Sequence, residues 1–265
     1  MGVMQLLMLF FCWKMKIKKQ IFGWSMYDFA NTIFSALFVT IYFPLFVVLK
    51  GGNAFHVGLV MSVSMLLAGL LVPFLGAVAD VTQKKKTMLF LFTVLCCVFT
   101  FFTGFVGLGM VLLFGLLANL FYHAGLNVYD SLILNISTKK NIGRISGIGV
   151  AVGYLGTILS VAVAFFLGSL YGYESVGGIK MVFVWTALLF FGFSLFTFFL
   201  VKHASKVSVR KKHFKEAFTR VIGTIRGVKK YKHVWLFLLA SFLYSDSAHT
   251  AIIFLYLYAR DQLGM

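Results

Sequence analysis

Charge is what this sequence has least of. Charged residues fill 12% of its 265 positions, where a soluble domain carries about 25%. Only seven of them are acidic, so each acid inside an apolar stretch stands out. Hydrophobic residues reach 61% and the mean hydropathy is +0.96. The apolar runs are near the length of about 20 residues that crosses a bilayer. A soluble domain is thereby excluded, and an all-α polytopic membrane protein is the fold class expected. Cysteine is scarce too. Cys12, Cys96 and Cys97 show no metal-ligand spacing, and the adjacent pair in an apolar run reads as small core thiols. Neither a metal nor a cofactor is expected. The few intramembrane polar residues offer no nucleophile–base spacing, which argues against a membrane enzyme. The last apolar run lacks a lysine, so a retinal would have no attachment point. A net charge of +17 could elsewhere point to nucleic acid. Here the basic residues sit in alternate connections between apolar runs, where the positive-inside rule places them. The expected partner is the lipid bilayer, with no nucleic acid.

Seven spans are read at about 22–49, 55–79, 87–106, 108–134, 148–170, 180–201 and 234–258. They divide the chain into a cytoplasmic N-terminal segment (1–21), a six-helix transmembrane bundle (22–201), a basic cytoplasmic loop (202–233) and a seventh helix (234–265). All lysines and arginines except Lys50, Lys180 and Arg260 fall on one side of these spans, which predicts a cytoplasmic N-terminus. The apolar stretch Gly2–Trp13 is too short to span, and its charges follow it, the reverse of a signal peptide. It reads either as an interfacial helix or as residues preceding a true start at Met15. The loop 202–233 sets one acid, Glu216, against eleven basic residues. With Phe214, Phe218, Val221, Ile222 and Ile225 it reads as a helix on the anionic inner leaflet, or else as a solvated linker.

Polar residues inside the spans are selective. Asp28-Phe29-Ala30-Asn31-Thr32 in span 1 and Asp246-Ser247-Ala248-His249-Thr250 in span 7 share one pattern, which suggests a duplicated six-helix unit. Asp28, Asn31, Thr32 and Ser35 share a helical face, as do Asp246, His249 and Thr250. Span 4 carries Asn119, His123, Asn127 and Asp130 in another stripe. Such faces turn inward, toward one another or toward water, and intramembrane carboxylates are functional candidates by default. Ser35, Thr32 and Asn119 fit interhelical glue as well as cavity lining. His123 and His249 have the chemistry of proton carriers, although a satisfied core histidine is the commoner case. Gly143, Gly147, Gly149, Gly153 and Gly156 crowd the start of span 5 at spacings that let helix backbones approach closely.

The segment from Gly76 to Lys86 resembles the signature loop of the major facilitator superfamily. Gly76, Asp80, Lys84, Lys85 and Lys86 fit, while Val81 replaces a basic residue and Gln83 a glycine. Trp24-Ser25-Met26-Tyr27-Asp28-Phe29-Ala30-Asn31 resembles the opening of the vacuolar effluxer-like branch, related to an autophagy-linked amino-acid exporter. Gly143-Arg144-Ile145-Ser146-Gly147 with Gly153-Tyr154-Leu155-Gly156, and Phe242-Leu243-Tyr244-Ser245-Asp246, are similar to that branch's motifs at spans 5 and 7. The resemblance runs from about Trp24 to the last residue. It implies twelve helices in two bundles, a solute cavity lined by helices 1, 4, 7 and 10, and alternating access by rocking. It also implies a gating role for Asp80.

The expected function is a secondary transporter, or the front part of one, moving small solutes such as amino acids across a bacterial plasma (inner) membrane. Asp28 and Asp246 would hold a cationic group or a coupling proton, and Asp130 with His123 a second titrating site. Helices 8–12 lie beyond Met265. The chain is therefore read as a fragment, a frameshifted product, or one piece of an assembly with a separate chain supplying those helices. The alternative is a seven-helix receptor or sensor, against which the cytoplasmic N-terminus argues.

Overall fold

The structure is a computed structural model that describes residues 19–82, 84–201, 223 and 232–263. The N-terminal stretch and nearly all of the basic loop lie outside the described residues, as do the side chains of Asp80, Asp246 and His249. The described residues form helices and short connections: α1 (Lys19–Leu49), α2 (Ala54–Thr82), α3 (Lys85–Thr103), α4 (Leu108–Ile136), α5 (Ile142–Tyr171), α6 (Val176–Leu200) and α7 (Lys232–Leu263). The first six are long and apolar enough to cross a membrane.

Two boundaries differ from the sequence reading. The segment expected as a loop from Gly76 to Lys86 is mostly helical. α2 continues to Thr82 and α3 begins at Lys85. No proline interrupts this stretch, and its alanines favour helix. α5 likewise starts at Ile142 rather than near 148, so Gly143 and Arg144 lie in its first turn. α6 starts where the Ser175 hydroxyl accepts from the Gly178 N–H at 2.8 Å, an N-cap that fixes its first turn.

α1 is the most buried of the six spans. Phe29, Ala30, Ile33, Phe34, Leu37 and Phe38 on it are sealed from solvent. It packs against α5 and α6, while α4 packs against α2 and α3, and α3 meets α6. Exchanging α1–α3 for α4–α6 leaves this set of contacts unchanged. The six helices are thus two three-helix units, inverted relative to one another because each unit crosses an odd number of times. That repeat is shorter than the six-helix unit suggested by the paired aspartate strings. Apolar side chains such as Phe102, Phe165, Phe166 and Leu170 face outward, as a lipid-facing belt does. Cys96 and Cys97 are buried on α3.

Within α1 the residues Ser35–Tyr42 form a π-helical segment, closed by a bond from the Phe43 N–H to the Phe38 carbonyl. Pro44 follows at the start of the next α-helical turn. Proline has no N–H and crowds the carbonyl four residues back. Widening the preceding turns to i→i+5 bonding accommodates it and rotates the side chains beyond Ser35 onto a new face. Such segments are frequent at functional sites.

Candidate functional site

α1 and α4 run antiparallel. The ring pairs step in opposite directions along them: Trp24 with Tyr129, Phe34 with Tyr122, and the Phe43 ring against Gly115. This register sorts the polar residues into two groups.

The first group surrounds a cavity of about 670 Å³. Ser35, Val39 and Thr40 reach it from the π segment of α1. Asn119, Tyr122, His123 and Leu126 reach it from α4, and Thr250 and Ile252 from α7. α2 forms the remaining described wall with Met61, Ser62, Met65 and neighbours. Asn119 is 1% exposed. Its Nδ2 donates to Ser64 Oγ at 2.7 Å, and Ser64 Oγ donates to the Met61 carbonyl at 2.9 Å. Asn119 Oδ1 has no hydrogen-bond partner among the described residues.

The second group lies toward the Lys19 end of α1. Tyr129 stacks between Trp24 and Tyr27, at 4.7 and 4.8 Å between ring centroids. The Trp24 indole N–H donates to the Tyr129 carbonyl at 3.4 Å, and the Tyr27 hydroxyl pairs with Thr93 Oγ1 at 2.8 Å. This clamp sets Asp28, the neighbour of Tyr27, and Asp130, the neighbour of Tyr129, at the same level of adjoining helices. Asp28 is half-buried and Asp130 exposed. Asn31, one turn beyond Asp28, is 3% exposed, and neither amide atom has a partner among the described residues. A buried amide so placed costs about 1–3 kcal/mol. The Thr32 hydroxyl is turned back onto the Asp28 carbonyl at 2.9 Å.

The structure therefore regroups the sequence candidates. Asn119, His123 and Thr250 meet at the cavity, whereas Asp28, Asn31, Thr32 and Asp130 stand outside its lining. Asp130 stands level with Asp28 across the stacked Tyr27 and Tyr129 rings, and His123 lies two turns away along α4. Asn127 is exposed and sits against α2, its Oδ1 at 3.6 Å from where a Cβ on Gly76 would stand. Lys86 donates to the Val201 carbonyl at 2.8 Å and so ties the start of α3 to the end of α6. Lys84 is exposed and Lys85 half-buried at the same end. Asp80 belongs to the last turn of α2.

The glycines divide as well. A Cβ at Gly149 would stand 2.5 Å from the Trp24 ring and 3.1 Å from Asp28 Oδ2. At Gly153 it would stand 3.1 Å from Thr32 Oγ1, and at Gly156 2.5 Å from the Phe29 carbonyl oxygen. These three let α5 close on α1. At Gly143 and Gly147 an added Cβ meets nothing within 4 Å among the described residues, so the packing stripe expected of five glycines narrows to three. Four contributors were missed from sequence: the α2 wall, the π segment, the Ser64 partner and the Tyr129 clamp. Pro44 signals the second, and the three-residue spacing of Trp24 and Tyr27, which puts both rings on one face, signals the last.

Against known proteins, the family model described as Major Facilitator Superfamily matches residues 29–265. The chain is 27% identical to the MFS-type transporter YxiO of Bacillus subtilis (strain 168), over 93% of this chain and 61% of that protein. It is 33% identical to a protein of Aquifex aeolicus (strain VF5), over 52% of this chain and 36% of the relative. The chain thus spans less than two thirds of the length of either relative. No solved structure matches.

Proposed function

Because the chain belongs to the Major Facilitator Superfamily, a family of transporters rather than enzymes, we propose that it forms the first bundle and the next helix of a secondary transporter. It moves a small solute by alternating access. The observation that carries this reading is the cavity, whose described walls are α1, α2, α4 and α7 and whose polar groups converge from all four. Concave, mostly apolar sites with a few placed polar groups are what solute pockets look like. Helices 8–12 would complete the wall, from a longer form of the chain or from a separate chain. The effluxer-like motifs bring amino acids as the first solute class to consider, and efflux as the direction.

Water access tests the reading. With the native cysteines replaced by alanine, Ser62→Cys and Thr250→Cys on two cavity walls are expected to react with a membrane-impermeant maleimide. Phe165→Cys, on the lipid face, is expected to stay unlabelled. Cavity positions as inert as Phe165→Cys would mean a sealed core, as in a receptor, and would end the transporter reading.

We place the N-terminus in the cytoplasm, on the strength of the basic residues gathered at that end of α1, α3 and α5. Alkaline phosphatase fused after Lys50 is then expected to be active, and fused after Lys84 inactive. The opposite pattern would invert the topology. In this orientation the Asp28–Asp130 group lies in the inner half of the bilayer and the cavity nearer its middle and outer half.

A further inference from the structure

We propose, building on the solute-cavity reading above, that Asn31 is a polar plug. It shuts the track between Asp28 and the cavity in the conformation seen here, and it meets water in another conformation of the transport cycle. Three observations lead to it.

The first is the line along α1. Asp28, Asn31 and Ser35 follow one another at i, i+3 and i+7, on one face of the helix. Asp28 is half-buried and stands outside the cavity lining, whereas Ser35 belongs to it. Asn31 is the step between them, and it is 3% exposed. The polar face is continuous in sequence and closed in space at this one residue.

The second is what closes it. Tyr27 lies one turn before Asn31 and Phe34 one turn after it, on the same side of α1. Tyr27 stacks on Tyr129 of α4 at 4.8 Å, and Phe34 meets Tyr122 of α4 at 4.7 Å, between ring centroids. Asn31 thus falls between two aromatic pairs that bridge α1 and α4. One pair lies toward Asp28 and the other toward the cavity, which Tyr122 lines.

The third is what the seal leaves unmade. Neither Nδ2 nor Oδ1 of Asn31 has a hydrogen-bond partner among the described residues, and the same holds for the Tyr129 hydroxyl. Buried polar groups are normally paired, and an orphan calls for a reason. A residue needed only to fill this space would do so better as leucine, which has no hydrogen bonds to lose. Two orphans on one helix contact give α1 and α4 a standing gain from admitting water between them. The closed state is thereby weakened at the point where the track is shut. A shift of α1 against α4 then joins Asp28 to the cavity through a hydrated Asn31. The amide both donates and accepts, so once open it continues the polar face that it had interrupted.

The thiol reagent 2-sulfonatoethyl methanethiosulfonate, which travels in water, reports the opening. It is applied to the purified full chain in nanodiscs, with the native cysteines replaced by alanine, and labelling is followed by intact mass. Asn31→Cys is expected to react at least about tenfold faster than Ile33→Cys, which is sealed on the same helix. Ser62→Cys marks the cavity wall. Asn31→Leu and Tyr129→Phe each remove an unpaired group and keep its outline. At least one of them is expected to unfold at or above the wild-type Tm, by up to about 4 °C. Neither needs a reactive cysteine, so misfolding of Asn31→Cys leaves the test intact. Labelling of Ser62→Cys with Asn31→Cys as inert as Ile33→Cys overturns the plug and leaves the cavity reading standing. A lowered Tm in both Asn31→Leu and Tyr129→Phe would show that these groups hold the closed fold together, and overturns the plug as well. No labelling at any of the three positions overturns both readings.

Discussion

Gly156→Val is expected to leave little folded protein, whereas Gly143→Ala on the same helix is expected to be harmless. The reason lies in what each new Cβ meets. At Gly156 it would stand 2.5 Å from the Phe29 carbonyl oxygen, and the carbonyl carbon is at 3.3 Å. That neighbour is backbone of α1, the most buried span, and has no rotamer to yield. Relief must come from moving α5 as a body, which also opens the contacts at Gly149 and Gly153. Overpacking costs about 1–3 kcal/mol where side chains can adjust and more where they cannot. The β-branched side chain of valine adds two further methyl groups to the same collision. Gly156→Ala carries the single Cβ alone and should appear as a lowered Tm with protein still recoverable. At Gly143 the added methyl meets nothing within 4 Å among the described residues. It gains helix propensity of up to about 1 kcal/mol. Thermal unfolding in detergent, followed by size-exclusion recovery, separates the outcomes. Equal losses at both positions would show that the α1–α5 contact is not where these glycines act.

That contrast also marks how far the sequence alone reaches. The spans were legible because about 20 apolar residues are needed to cross lipid and few other structures use them. Their ends were less so: Gly143-Arg144 and the Asp80 segment look like connections by composition, yet both are helical. The four-residue spacing of Gly149 and Gly153 announced close helix packing. Which glycines pack depends on the partner helix, and so Gly143 and Gly147 were grouped with them. Polar stripes on spans 1, 4 and 7 were visible because Asn, His and Asp are costly in lipid. The α2 wall was not, since Ser62 is cheap there and methionine and leucine look alike whether they face lipid or solute. That Asp28 and Asp130 stand at one level needed the antiparallel register of α1 and α4, which no local pattern encodes.

Asp28→Asn should lower solute flux in proteoliposomes by about 100-fold, the factor that roughly 2.7 kcal/mol of lost interaction with a cation or proton produces. The substitution keeps the side chain's shape, so the fit against Gly149 at the α1–α5 contact survives. What it removes is the charge, and with it the ability to take up and release a proton or to hold a cation. If Asp28 acts with Asp130, as the Trp24–Tyr129–Tyr27 clamp places them, the two substitutions will not add. Groups that share one ligand give coupling terms, whereas independent sites add within about 0.3–0.5 kcal/mol. Asp130→Asn alone is expected to cost flux, and the double variant is expected to fall little below Asp28→Asn. Asparagine imitates the protonated carboxyl, so the single Asp28 variant should also lose the wild-type dependence of flux on pH and resemble the wild type held in acid. Multiplicative losses in the double variant would separate the two carboxylates. Unchanged flux in Asp28→Asn would remove Asp28 from the mechanism and leave it as a residue of the α1–α5 interface.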